Sequence, residues 1–186
     1  MRKDFGKQTW LYPMPVLIIA TYGEDGTPDA MNAAWGGIHD TNQICICLSE
    51  EHKTVQNIFA RKEFTVSPAT ASQTIPADYV GLVSGNQVSD KIQKAGWHTS
   101  PAPHVNAPVI DELPMALECR IVSYEKASGL LVADIINVCA DESILGEDGQ
   151  IDVSKLRPIT YDPVHHAYLE LGVRAGGAFS DGKQLF

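Results

Sequence analysis

The segment Ser49-Glu50-Glu51-His52-Lys53-Thr54 gathers hydroxyl, imidazole and ammonium groups where an apolar, strand-like run gives way to a helical pattern. Unpaired backbone N–H groups and the positive end of a helix dipole converge at such a junction, so an anion can be held there. The hydroxyls of Ser49 and Thr54 and the ammonium of Lys53 add donors suited to a phosphate monoester. A plainer arrangement uses the same residues: Thr54 caps the helix and Lys53 is a solvated charge. A second segment, Asn32-Ala33-Ala34-Trp35-Gly36-Gly37, sets small residues beside one large aromatic. Small side chains expose backbone, so a flat polar ring can approach and hydrogen-bond to the main chain, with Trp35 available to stack on it. Alternatively, Trp35 belongs to the core and the glycines form a bend.

Other residues with chemical potential have less company. Cys45 and Cys47 lie two apart on a strand and point the same way, without a CxxC pair or a histidine at zinc spacing, and read as buried apolar thiols. Adjacent His165 and His166 would face opposite sides of a strand, a poor arrangement for sharing a metal ion. No GxGxxG, Walker loop or GxSxG elbow occurs, which removes the common dinucleotide and hydrolase readings. Neither a protein nucleophile nor a metal site is expected.

The elements that must position these groups follow from periodicity. Val16–Tyr22 reads as a buried strand, Asp25-Gly26 as a turn, and Ala30–Trp35 as the returning strand. Gln43–Ser49 alternates, with Ile44, Ile46 and Leu48 on one face, and is expected to be covered on both sides. Val55, Ile58 and Phe59 recur at helical spacing, and Phe64–Ser67 is a further strand. Helices are expected over Thr74–Ser84, ended by Gly85, and over Ser89–Ala95. Ser100–Pro108, with its prolines, reads as a surface connection. Met115–Tyr124 and Leu130–Ala140 form a long hairpin in which Leu117, Cys119 and Ile121 face inward and Glu118, Arg120 and Val122 face solvent. Many strands with inserted helices and no βαβ alternation predict a mainly β, antiparallel barrel decorated by helices.

Composition bounds the partners. Across 186 residues, 14 Lys and Arg stand against 23 Asp and Glu, a net charge of -9. That balance disfavours nucleic acid, whose non-specific affinity comes from neutralising phosphates with Lys and Arg. The longest apolar run, Val16–Ala20, is far short of the roughly 20 residues that cross a bilayer, so no membrane association is expected. Met1–Gln8 lacks the features of a secretory leader, which makes a reducing cytoplasm the expected compartment and the cysteines thiols. One domain over residues 1–186 is expected, since a chain of this size can bury a core without disulfides or metals.

Taken in order along the chain, several pieces carry a resemblance. They are Pro15-Val16, Asn32-Ala33-Ala34-Trp35, Thr54 with Asn57-Ile58, Ser84-Gly85 leading into Ser89-Asp90-Lys91, Ala107-Pro108-Val109-Ile110 before Leu117-Glu118-Cys119, and Tyr161 before Tyr168-Leu169-Glu170-Leu171-Gly172. In this order the sequence resembles the flavin reductase-like family of FMN-binding split barrels, and within it the flavoredoxin-like proteins. The resemblance implies a six-stranded antiparallel Greek-key barrel that forms a homodimer, with FMN in a groove near the subunit interface. It implies that the backbone of Asn32–Trp35 meets the isoalloxazine edge, with Trp35 beside the ring. Ser49, His52, Lys53 and Thr54 would hold the ribityl phosphate. Asp90 and Lys91 match an Asp-Lys pair whose lysine lies close to the flavin, and Tyr168 sits where an aromatic reaches the pocket. The implied activity is that of a flavoprotein oxidoreductase or electron carrier. It would take electrons from NAD(P)H or a partner reductase and pass them to flavin, a metal complex or a redox protein. At Asp134-Ile135-Ile136-Asn137-Val138 the chain departs from the family's Gly-Glu-Val and lacks the histidine that often follows. This departure favours an electron carrier over direct NAD(P)H oxidation. A flavin- or haem-binding module without turnover, or a dimer whose site has decayed, is the alternative on the same fold.

Overall fold

The computed structural model describes residues 1–186. Its first hairpin is built from an aliphatic run, Leu17–Tyr22 (β1), and from Pro28–Ala33 (β2), paired so that Ile19 faces Met31. The turn between them is fixed by the Asp25 carboxylate, which accepts from Thr27 N and Oγ1, and by Gly26 at φ 83°. Next come Gly36–Asp40 (β3) and Gln43–Cys47 (β4), then the helix Lys53–Arg61 (α1) and the strand Glu63–Pro68 (β5). Two helices, Thr74–Leu82 (α2) and Lys91–Lys94 (α3), precede the short strands Thr99–Pro101 (β6) and Pro108–Ile110 (β7). The long strands Met115–Glu125 (β8) and Leu130–Ala140 (β9) follow, then the short helix Val153–Leu156 (α4) and a last hairpin, Ile159–Asp162 (β10) with Ala167–Glu170 (β11).

The main sheet has the order β2-β1-β5-β8-β9-β4-β3, antiparallel throughout, and curls into a half-barrel with Greek-key crossovers from β1 to β5 and from β4 to β9. This corrects the expected six strands to seven. The added strand is β3, whose Gly36-Gly37 reads in sequence as a bend. A Cβ on Gly36 would stand 2.9 Å from the Cys45 carbonyl oxygen and 3.0 Å from Leu17 Cδ1, so the absence of a side chain is what lets β3 lie against β4. The connection expected over Ser100–Pro108 is also partly strand, because its two ends pair as β6 and β7.

Alternate residues of β1 explain its unbroken apolar run. Ile18 and Ala20 pack with Ala77 and Val80 of α2, whereas Ile19 packs with Ile46, Val55, Ile58 and Phe64 inside the half-barrel. β4 is covered on one side only: Ile44 and Ile46 are buried, but Cys45 is half-buried and Cys47 exposed, contrary to the expectation of buried thiols. The last hairpin is sewn back to the chain's beginning. Thr160 Oγ1 accepts from Met14 N at 2.9 Å and donates to Met14 O at 2.8 Å, and Tyr161 N donates to the same carbonyl. No helix is long and apolar enough to cross a membrane.

Glu118 of β8 departs from the expected solvent face, being 0% exposed. It accepts hydrogen bonds from His104 N and Asn137 Nδ2, each at 2.7 Å. Burial works against its charge, but the donors from Asn137 and His104 together outweigh it and hold the carboxyl below the usual glutamate range. A depressed carboxyl contributes stability above its ordinary pKa and loses it as pH falls through the folded value. Glu118→Gln should therefore lose less stability than the parent on going from roughly pH 5 to pH 3, read from urea midpoints. Parallel declines in the two proteins would show that Glu118 carries none of the acid sensitivity.

Candidate functional site

The Asn32 side chain donates to Ala77 O at 3.0 Å and ties β2 to α2. A groove runs along this seam. Its wider end, about 370 Å³, has an apolar floor from Val16, Ala33, Ala34 and Leu82 and an aromatic wall from Tyr161 and Tyr168. Its other end, about 290 Å³, is lined by His52, Lys53, Thr54, Gly85 and Lys91, and the two ends share Asn32, Gly81 and Leu82. Closeness of α2 to β2 depends on Gly81, where a Cβ would meet Asn32 Cβ at 3.0 Å. Tyr168 donates to Asp78 Oδ1 at 2.8 Å, and burial, reinforced by the Asp78 carboxylate, pushes its phenol up to about 12. It is a neutral donor at any working pH.

At the narrow end the helix start is open. His52 occupies the N-cap position with no side-chain cap, so the first N–H groups of α1 are not satisfied by it. Thr54 does not cap the helix: its hydroxyl donates to Asp29 Oδ2 at 2.6 Å. The other oxygen of Asp29 takes Lys91 Nζ at 3.0 Å, and both partners of this pair are buried. Lys91 is thus a neutralised cation behind the groove, whereas Lys53 takes part in no ion pair. Beside Lys53 and Gly85 lies a further cavity of about 290 Å³, lined also by Asp25, Asp29 and Ser89, where Asn57 Nδ2 is buried without a hydrogen-bond partner.

Of the residues singled out in the sequence, Asn32, Ala33, Ala34, His52, Lys53, Thr54, Lys91 and Tyr168 line this one groove. Ser49 and Trp35 are exposed and do not line it, and Asp90 pairs at the surface with Lys94 at 3.0 Å. Asp134 instead receives Gln43 Nε2 at 2.8 Å, and Asn137 is the donor to Glu118, so both serve the sheet. Asp78 also lines the wide end of the groove and Asp29 the cavity beside Lys53; neither was singled out in the sequence, and His166 was weighed there only as a metal ligand. Only Asp29 left a trace, as a charged residue next to an apolar strand.

The fit to a flavin mononucleotide can be judged on these groups. The wide end is lined mostly by apolar side chains beside the small residues Ala33 and Ala34, and the narrow end offers the Lys53 ammonium and an uncapped helix start for a charged acceptor. The residues present fit.

An antiparallel half-barrel with such a groove along β2 defines the class of split-barrel proteins. Residues 9–163 match the family model described as "Flavin reductase like domain", and the chain belongs to that family. Among solved structures it is similar to the flavoredoxin of Desulfovibrio vulgaris (Miyazaki F), with 34% identity, a TM-score of 0.93, and coverage of 98% of this chain and 100% of that one. It is also similar to a flavoredoxin from Methanosarcina acetivorans, with 25% identity, a TM-score of 0.89 and full coverage of both chains. The YdfE protein of Bacillus subtilis (strain 168), described as uncharacterized, is 22% identical over 95% of this chain and 93% of its own length.

Proposed function

We propose that this chain is an FMN-binding flavoprotein of the electron-carrier type, acting as a homodimer in the cytoplasm. The observation that carries the reading is that two cavities sharing Asn32, Gly81 and Leu82 set a mostly apolar lining at one end and an unpaired lysine beside an open helix start at the other. Bound FMN would supply reversible one- and two-electron transfer, and the protein supplies position and electrostatics. Asn32 locks β2 to α2 and so fixes the backbone of Ala33 and Ala34 as donors and acceptors for the ring edge. Val16, Leu82 and Tyr168 give the slot its apolar lining. Lys53, His52 and the first N–H groups of α1 hold the phosphate. Trp35 and Ile38, both exposed on the edge hairpin, are apolar side chains that a second copy would cover, which supports the dimer.

Purified protein should show, or acquire on addition of FMN, a flavin absorbance that bleaches with dithionite. Colourless protein indifferent to added FMN would overturn the reading. Anaerobic NADH and NADPH then divide a direct reductase from a carrier that needs a partner reductase: bleaching by neither supports the carrier. Lys53→Ala should weaken FMN binding by about 1.5–3 kcal/mol, roughly ten- to hundredfold in Kd. An unchanged Kd would remove Lys53 from the phosphate site.

A further inference from the structure

The turn joining β10 to β11 is held more firmly than a surface hairpin requires. Asp162, at its start, accepts from the Tyr12 hydroxyl, from Val164 N at 2.9 Å and from His165 Nδ1 at 2.7 Å. The turn ends on His166 at φ 53°, in the left-handed region that histidine adopts more readily than most non-glycine residues. That backbone places the imidazole in the wall of the wide end of the groove. There its Nδ1 lies 2.7 Å from the Tyr161 hydroxyl, and the Tyr161 ring stands between those of His166 and Tyr168, at 6.3 Å and 6.0 Å. We assign the phenol as donor to Nδ1, which places the imidazole proton on Nε2 and leaves one donor for a ligand.

We propose that His166 donates a hydrogen bond to the flavin ring in this slot, and that Tyr161 and Asp162 are positioning residues that hold the imidazole for it. The inference rests on the FMN reading above. A flavin ring offers carbonyl oxygens as acceptors, and these become more electron-rich on reduction. A donor beside them therefore binds the reduced ring better than the oxidised one. His165, whose Nδ1 is tied to Asp162, does not line the groove. The other polar side chains lining this end are Asn32, Tyr161, Tyr168 and Asp78; Asn32 donates to Ala77 O and Tyr168 to Asp78, which leaves His166 without a partner on Nε2.

The test uses the full-length FMN-loaded protein and reads both affinity and midpoint potential. His166→Ala should bind the oxidised cofactor with little change and the reduced cofactor about three- to tenfold more weakly. That differential lowers the two-electron midpoint potential by about 15–30 mV. His166→Gln, which keeps an N–H donor, should recover part of the shift. Tyr161→Phe should give an intermediate value, and His165→Ala should match the parent. A hairpin that matters only as structure would weaken both redox states equally and leave the potential where it was, and that result overturns the inference while leaving FMN binding intact. A parent protein that binds no FMN overturns the underlying reading as well, so the two failures are distinguishable.

Discussion

Asp29→Ala is expected to cost about 3–5 kcal/mol of folding stability, the range for removing one partner of a buried ion pair. Lys91 would be left as a buried cation with only the Val83 carbonyl at 3.5 Å for company, and the Thr54 hydroxyl would lose its acceptor. For a chain of this length such a loss lowers Tm by about 6–20 °C. Asp29→Asn keeps an acceptor for Thr54 and should fall between the parent and the alanine variant. The effect should extend to the ligand, since Thr54 and Lys91 line the narrow end of the groove. Asp90→Ala, which removes an exposed partner of Lys94, is the contrast and should change stability by less than about 0.5 kcal/mol. Equal melting temperatures for the two alanine variants would show that Asp29 does not hold Lys91 in the folded protein.

Phe64→Ala is the second large effect, again about 3–5 kcal/mol, read as a shift of the urea midpoint at constant slope. Phe64 is 0% exposed and packs in the cluster that contains Val55 and Ile58 of α1, Ile19 of β1 and Cys119 of β8. The cavity left by its ring would lie directly under α1, so the helix whose first turn faces the groove loses its footing. FMN affinity should fall along with stability. A midpoint shift worth less than about 1 kcal/mol would mean that the cluster closes over the gap.

The parts of this fold legible in the sequence are those whose partners lie nearby in the chain. β1 and β2 face each other across a short Asp-Gly turn, and α1 carries its apolar stripe within nine residues. The start of α1 was legible for the same reason, because strand end and helix start are contiguous. Lys91 was legible as a cation but not as a paired one, since Asp29 reaches it from a different element. Nothing within either local stretch signals the meeting. Glu118 shows the same limit: period-two alternation puts it toward solvent, and only the loop carrying His104, folded over the sheet, buries it. β3 was hidden because its glycines, which read as a bend, are what close pairing with β4 demands. The β10–β11 hairpin was hidden by its brevity, so His165 and His166 read as strand residues although they lie in its turn.

The stitching of Met14 to Thr160 has a consequence in time. One side of the wide end of the groove comes from Val16, β2 and α2 and the other from the chain's last hairpin, so this end is a long-range feature of the molecule. Contacts that span so much chain form late, after the loop entropy between them has been spent. During synthesis the half-barrel from β1 to β9 can assemble while residues beyond Ile159 are still being made, but no slot exists until they dock. The FMN of the proposed function would then be captured only after the last hairpin has docked.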